Sequence, residues 1–501
     1  MQLRGVLEGF YGRPWTWDER VAVSQHCAAR GMTHYVYAPK DDPKQRAEWR
    51  VPYTEVELAE FRRIATEGGL TLGCAVSPGL SIDYRSGEDR ALLMAKIESL
   101  VDAGAGLIAL QFDDIPIRDG LGTEHGELTA WVHTHLAGRA ELAMCPTEYV
   151  GIEPSPYLSA LADLVPEEVP IQWTGVLVVN DEITVADAEA RAAAIGGRKP
   201  SLWDNYPVND GFMADQLFLG PLRGRPPALL DALDGYMTNA LVQPMASRLP
   251  LASIAAWLRG DDVETAWQHE ADALGWRVFA EACDGAHPRA LVDALVAEDG
   301  GPGWTAAADR LASWLRAARD VDAPGIDPEV APWLERTRHE ASFMLAALRL
   351  YQDTKPVARI DAAGRGRVAA SSEDEAFRHA AALASQWKAM RRATPEVMGP
   401  RLGLKVAFGQ ASTGGFAYRH GVVEEDASAS DALVRHALAQ AEQLSAPGNV
   451  AVLADGVDVP VDESGAFDVP GDAMVIMLRS GAATRVGVPC EPPLPERRLG
   501  V

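Results

Sequence analysis

Over the first 260 positions apolar residues come in short runs: Arg4–Leu7, His34–Tyr37, Thr71–Val76, Leu107–Phe112, Leu142–Cys145, Ile171–Trp173, Ser201–Trp203 and Gly235–Met237. Runs this short and this continuously apolar suit strands covered on both faces, as in a parallel sheet. Segments of helical period lie between them. Asp18–Arg30 is closed by Gly31, and Glu88–Ala103 is opened by Ser86 and closed by Gly104, with Leu93, Ile97, Leu100 and Val101 on one face. Another helix follows Thr123, with Leu128, Val132 and Leu136 four residues apart, and Val185–Ile195 ends at the Gly196-Gly197 pair. Eight strand-helix repeats predict an α/β fold of the (β/α)8 TIM-barrel type over residues 1–260.

Past residue 260 the pattern changes to long Ala, Leu and Arg-rich helical stretches, notably Thr305–Arg319, Pro328–Tyr351 and Ser372–Arg392. Residues 261–398 therefore read as an α-helical stalk or bundle. From 399 to 490 a strand-like LGLKVAFGQ, a helical SDALVRHALAQAEQL and a hairpin-like AMVIMLRSGAATRVGV, turning at Ser480-Gly481, predict a small mixed α/β module. The Pro-rich residues 491–501 read as a flexible tail.

Composition narrows the function classes. The chain has 501 residues, enough for a complete barrel plus a smaller module, and 46 Lys and Arg against 71 Asp and Glu give a formal charge of −25. Such a surface repels phosphate backbones and anionic headgroups, so neither nucleic acid nor membrane is expected as a partner, and a polyanionic glycan is disfavoured. Five cysteines (Cys27, Cys74, Cys145, Cys283 and Cys490) are scattered without metal-ligand spacing and read as reduced thiols. With no apolar leader at the start and no run of about 18 apolar residues, a cytoplasmic protein is expected.

In a (β/α)8 barrel the site is built at the C-terminal strand ends. Here those ends carry Glu8–Trp15, Ala38–Pro43, Ser77–Leu80, Asp113–Ile115, Pro146–Tyr149, Thr174-Gly175, Asp204–Tyr206 with Asp210, and Thr238-Asn239. A ring of carboxylates, amides and aromatic rings fits a sugar, whose hydroxyls need polar partners while its CH face stacks on an indole or phenol. Taken singly, Lys40 also fits a solvated loop charge, Tyr149 a packed phenol, Trp203 barrel core, and Gly9 and Gly12 a tight turn.

Asp113 and Asp114 end an apolar run, so both carboxylates emerge at the mouth if the backbone turns there. Two close carboxylates resist ionising together, which predicts that one keeps its proton to act as an acid. Ordinary retaining glycosidases set acid and nucleophile ~5 to 5.5 Å apart across the bond, a placement sequence neighbours rarely achieve. Substrate-assisted catalysis removes that difficulty. The substrate's own 2-acetamido oxygen attacks the anomeric carbon to form an oxazoline, Asp113 orients the acetamido group, and Asp114 protonates the leaving oxygen and later activates water. The nearest histidines, His125, His133 and His135, fall in or beside a predicted helix, so neither metal nor cofactor is expected.

Across residues 3–260 the motifs EGFYGRPW, YVYAPKDDP with a following WR, SPGLSID, LQFDDI, CPTEY, WTG, WDNYPVND and MTN occur in an order that resembles the family 84 glycoside hydrolases, the O-GlcNAcases and related hexosaminidases. The resemblance implies Asp113 and Asp114 as the catalytic pair, Gly9 and Lys40 as contacts to sugar hydroxyls, and Tyr149 at the reacting centre. It further implies Trp203 in the wall around the acetamido methyl, Asn205 and Asn239 as amide contacts, and Asp210 as the carboxylate gripping O4 and O6. Thr174, from the WTG motif, joins the expected substrate-binding set. Gln45 departs from the histidine many relatives carry there, and PIRDGLGTEHGE after the pair is variable. The implied activity is a retaining exo-β-N-acetylglucosaminidase acting on a β-linked N-acetylglucosaminide of a glycoprotein. A hexosaminidase for free or cell-wall glycans and a non-catalytic sugar-binding module are the alternatives. The helical stalk offers surfaces for a homodimer.

Overall fold

The computed structural model describes residues 3–298 and 303–353 without a break, and beyond them 357–360, 366–369, 382–383, 386, 395–398, 404–410, 416–422, 428–443, 450–453, 458–460 and 475–479. All eight anticipated strands are present: β1 (Arg4–Glu8), β2 (His34–Tyr37), β3 (Thr71–Val76), β4 (Leu107–Gln111), β5 (Glu141–Cys145), β6 (Gln172–Trp173), β7 (Ser201–Asp204) and β8 (Gly235–Asn239). They form one eight-stranded sheet in the order β5-β4-β3-β2-β1-β8-β7-β6. Every ladder in it is parallel. Between β5 and β6 there is no ladder, only the bridge Met144–Ile171 and, higher up, Val150–Gly175. The sheet is thus a (β/α)8 TIM barrel with one thin seam.

Helices α1 (Trp17–Ala28), α2 (Glu55–Glu67), α3 (Gly87–Asp102), α4 (Leu121–Leu136), α5 (Pro156–Leu164), α6 (Val185–Ala194), α7 (Leu229–Ala232) and α8 (Pro244–Arg259) follow the strands in turn. Their starts are chemically specified. Thr16, Thr54 and Thr184 each form a capping box with the acidic residue three positions on, satisfying backbone N–H groups that have no intrahelical partner. Ser86 caps α3 through the backbone N–H of Asp89.

The strand period of two sorts the side chains. Val6, Tyr35, Cys74, Ile108, Leu110 and Met144 join the large core that fills the space beneath the helices. Leu7, Val36, Ala75, Ala109, Ala143, Cys145, Trp203 and Met237 form a second cluster inside the barrel. Alanines dominate the β3–β5 side of that interior, which leaves room above them for the large rings of Trp203 and Tyr149.

Packing divides the chain into two units, Met1–Ala280 with Ala323–Ala331 and Leu402–Val423, and Glu281–Asp322 with Pro332–Arg401 and Glu424–Val501. The first holds the barrel, with Asp327 accepting from the backbone N–H groups of Met245 and Ala246 at the start of α8. In the second, helices Ala286–Ala297 and Trp304–Arg319 pack together, and the former also meets Ala429–Gln443. The helix anticipated from Pro328 begins at Ala331, after a 3-10 turn, and runs to Asp353. Strand Leu404–Gln410 pairs with Phe416–Val422, and Val475–Arg479 pairs with Val450–Leu453. Most of the helix expected at Ser372–Arg392, the turn at Ser480-Gly481 and the tail from 491 onward lie outside the described residues. Among the described residues no helix is long and apolar enough to cross a membrane.

Candidate active site

The barrel's inward column on β4 ends Ala109, Gln111, Asp113, and this places the Asp113 carboxylate at the mouth, above the alanine floor. By alternation Asp114 would point away from it. Instead its backbone adopts φ +54°, a left-handed bend that a non-glycine residue enters at a cost and that Asp tolerates better than most. The bend turns both side chains to the same mouth: Tyr149, a residue of the β5 loop, donates its hydroxyl to Asp114 Oδ1 at 2.8 Å, and Tyr11, from the β1 loop, donates to Oδ2 at 2.8 Å.

The two carboxylates differ in environment. Asp113 is buried and paired with the equally buried Lys40, whose ammonium also donates to Gln111 Oε1 at 3.3 Å. Arg46 Nη1 stands 3.8 Å from Asp113 Oδ2 and 4.0 Å from Asp114 Oδ2. Burial alone would drive the Asp113 carboxyl upward, but the Lys40 and Arg46 cations outweigh it and hold the group below the ordinary carboxylate range. Asp113 is therefore an anion at neutral pH, and its other oxygen, Oδ1, is buried with no hydrogen-bond partner. The Tyr149 phenol is pushed up by burial and by the facing Asp114 and Asp113 carboxylates, so it stays a donor.

The remaining candidates form a connected web. The backbone N–H of Gly9 donates to Asn239 Oδ1 at 3.0 Å, Asn239 Nδ2 donates to Asn205 Oδ1 at 3.0 Å, and Trp203 Nε1 donates to the same oxygen at 3.1 Å. Asn205 Nδ2 in turn donates to the Val178 carbonyl. These bonds fix the orientation of both amides. Lys40 Nζ lies 5.1 Å above the Trp203 ring, within cation-π range. Gly9 is there because nothing larger fits: a Cβ would stand 2.6 Å from Trp203 Cζ2. Asp210 Oδ2 accepts from the backbone N–H of Tyr11 at 2.7 Å, and burial raises its carboxyl.

Thr174 stands slightly apart. Its hydroxyl donates to the Leu177 carbonyl at 3.3 Å and its N–H to the Tyr149 carbonyl at 2.9 Å, so it fastens the β6 loop to the residue that grips Asp114.

Three participants escape a reading of the sequence alone. Arg46 looks like one more charge in a polar loop, Tyr11 is concealed among the aromatic residues of EGFYGRPW, and Gln111 reads as a lone polar residue in an apolar strand. Gln111 had a signal, since an amide inside a fully buried strand needs partners. It has them in Lys40, Gln45 and Ser77. Gln45 is wholly buried in this web, with its Nε2 donating to Ser77 and Gln111. His125 is a packing residue, stacked on Phe112 at 3.9 Å, with its ring nitrogens against the Tyr84 and Tyr157 hydroxyls. Burial, with some help from Arg118, pushes it down to about 3. Among the described residues no three His, Cys, Asp or Glu side chains gather as metal ligands would.

A family model described as beta-N-acetylglucosaminidase matches residues 4–283. Protein O-GlcNAcase from Rattus norvegicus and that from Mus musculus are each 31% identical to the chain over 277 residues, 52% of this chain and 30% of theirs. The match thus spans less than a third of the length of these curated relatives. Among solved structures, a mutant O-GlcNAc hydrolase from Thermobaculum terrenum is similar, with a TM-score of 0.68 and 23% identity over 89% of this chain and 95% of its own. CpGH84B gives the same TM-score at 22% identity over 79% of this chain and 75% of its own. At these identities the two likenesses speak for the shared fold.

Proposed function

Since the chain belongs to the beta-N-acetylglucosaminidase family of glycoside hydrolases, we propose that it removes terminal β-linked N-acetylglucosamine with retention, by substrate-assisted catalysis, and that its substrates include proteins carrying the sugar. The observation that carries this reading is the unlike pair at the end of β4. Asp113 is an anion with one buried oxygen lacking a hydrogen-bond partner, the acceptor an acetamido N–H needs. Asp114 is partly open to the mouth and held at both oxygens by phenols.

In the proposed cycle Asp113 receives the acetamido N–H and turns the amide oxygen onto the anomeric carbon, whose bond to the leaving oxygen breaks as Asp114 delivers its proton there. The resulting oxazoline, protonated at nitrogen with that N–H held by Asp113, is opened at the anomeric carbon by water, whose proton passes to Asp114 as the C–O bond to the acetamido oxygen breaks. Trp203, wedged against Gly9, walls the acetamido methyl. Asn205 already accepts two donors at Oδ1, so it meets the sugar through its remaining amide hydrogen. Asp210 and Lys40 hold ring hydroxyls.

The test is hydrolysis of 4-nitrophenyl β-N-acetylglucosaminide by the native chain and by Asp113→Asn, with EDTA present throughout, together with proton NMR of the first-formed anomer. Turnover that gives the β anomer, and a loss of about 10²-fold or more in the variant, supports the reading. An inert native chain that still binds N-acetylglucosamine favours a sugar-binding module. Release of sugar from a modified peptide then distinguishes protein from free-glycan substrates.

A further inference from the structure

We infer that Arg46 is the positioning residue of the carboxylate pair, holding the backbone bend that brings Asp113 and Asp114 to one mouth while its free amino group rests between the two carboxylates. The inference deepens the proposed function and rests on Asp113 and Asp114 being the reacting pair.

Arg46 lies in the β2 loop, with its side chain only 11% exposed. Its Nη2 donates to the carbonyl of Asp113 at 3.4 Å and to that of Asp114 at 3.2 Å. Two successive carbonyls directed at one donor is what a left-handed residue between them permits and an extended strand forbids. The grip therefore opposes the tendency of Asp114, at φ +54°, to relax into an extended conformation that would swing one carboxylate out of the mouth. Its Nη1 is buried, has no hydrogen-bond partner, and stands at nearly equal distance from the two carboxylates, 3.8 and 4.0 Å. Buried donors are rarely left without an acceptor. Here the free N–H faces the place where a second full negative charge arises when Asp114 gives up its proton. Lys40, by contrast, already directs two of its three donors at Asp113 and Gln111.

The charged and titratable neighbours of Asp113 are Lys40 and Arg46 of the β2 loop, Asp114 beside it, Tyr11 of the β1 loop, Cys145 at the end of β5 and Tyr149 beyond it. Those of Asp114 are Asp113, Tyr11, Tyr149, Arg46, Cys145 and Asp210. Removing Arg46 takes away one of two cations that oppose the burial of Asp113, so the carboxyl titrates higher.

Two variants separate the guanidinium's charge from its grip. Arg46→Met removes both. Arg46→Lys keeps a cation but lacks the forked head that reaches two carbonyls. The Asp113 titration, read by carbon NMR on the aspartate-labelled chain without substrate, should rise by about one pH unit in Arg46→Met. It should stay near the native value in Arg46→Lys. On the aryl glycoside both variants should lose about 10²-fold in kcat, and the acid limb of the pH profile should move upward in Arg46→Met alone. An unmoved Asp113 titration in Arg46→Met, or native turnover in Arg46→Lys, overturns the inference. If Arg46→Met does not fold, the turnover of Arg46→Lys decides. If the native chain is inert on the glycoside, the proposed function falls while the NMR titration still decides whether Arg46 governs the pair.

Discussion

Lys40→Met removes the ammonium from the pair at the base of the site and keeps the volume of the side chain. What remains is a buried Asp113 carboxylate with Arg46 as its nearest cation, 3.8 Å away. Breaking a buried ion pair from one side costs about 3–5 kcal/mol because the surviving charge is left uncompensated. With Arg46 in place the lower end applies, about 3 kcal/mol near pH 7, or about 5 °C of melting temperature for a unit of this size. Gln111 suffers little, since Gln45 Nε2 still donates to it at 3.1 Å.

The sign with pH is the sharper check. In the native chain the Asp113 carboxyl is depressed, so it contributes stability that is present above the unfolded value of about 3.9 and is lost as pH falls through the folded one. In the variant, burial dominates and raises the carboxyl. Its penalty then appears as pH climbs past about 3.9 and is complete above the new folded value. Thermal melts at pH 4 and pH 7.5 should therefore show a smaller difference between the two proteins at pH 4, where only the native contribution separates them, and a larger one at pH 7.5, where the variant's penalty is added. Adding Asp113→Asn should restore most of the loss, because no charge is then stranded. A deficit of equal size at both pH values, with no rescue by the second substitution, would refute the electrostatic account and assign the loss to packing.

Two further outcomes test individual parts of the site. Asp114→Asn should slow cleavage of a methyl glycoside by about 10³-fold and of 4-nitrophenyl or dinitrophenyl glycosides far less, since a good leaving group needs no proton; equal losses across a leaving-group series would remove the acid role. Gly9→Ala places a methyl 2.2 Å from Leu7 Cδ1 and 2.6 Å from Trp203 Cζ2, and should destabilise the unit by about 1–3 kcal/mol and raise KM several-fold as the indole shifts, whereas an unchanged melting temperature would show that the ring yields freely.

Much of this is legible in the sequence. The strands appear at the anticipated places because each is covered on both faces, and such coverage writes an unbroken apolar run. Helices with polar caps and glycine stops, such as α1 and α3, are equally plain. Less plain was α8, where Pro250 sits inside the helix although proline ordinarily ends one. Of the site, the residues at strand ends come together because the barrel gathers every strand end to one face. Arg46 and Tyr11 were missed because their importance comes from loop conformation, which carries no period. The pair itself is instructive. Alternation along a strand predicts opposite directions for Asp113 and Asp114, and only the left-handed φ of Asp114, invisible in sequence, turns them to one mouth.

The thin seam between β5 and β6 bears on how the barrel breathes. Seven of the barrel's eight joints are laced by ladders, while the eighth rests on a few bonds, Met144 N–H to the Pro170 carbonyl, Thr174 N–H to that of Tyr149 and Gly151 N–H to that of Gly175. Local opening is easiest where cooperative pairing is sparsest. Amide hydrogens on this joint should therefore exchange with solvent before those of β2, β3 and β4. Each such opening loosens the backbone beneath Tyr149, the phenol holding one oxygen of Asp114, so the barrel's most compliant joint adjoins the carboxylate proposed to act as the acid.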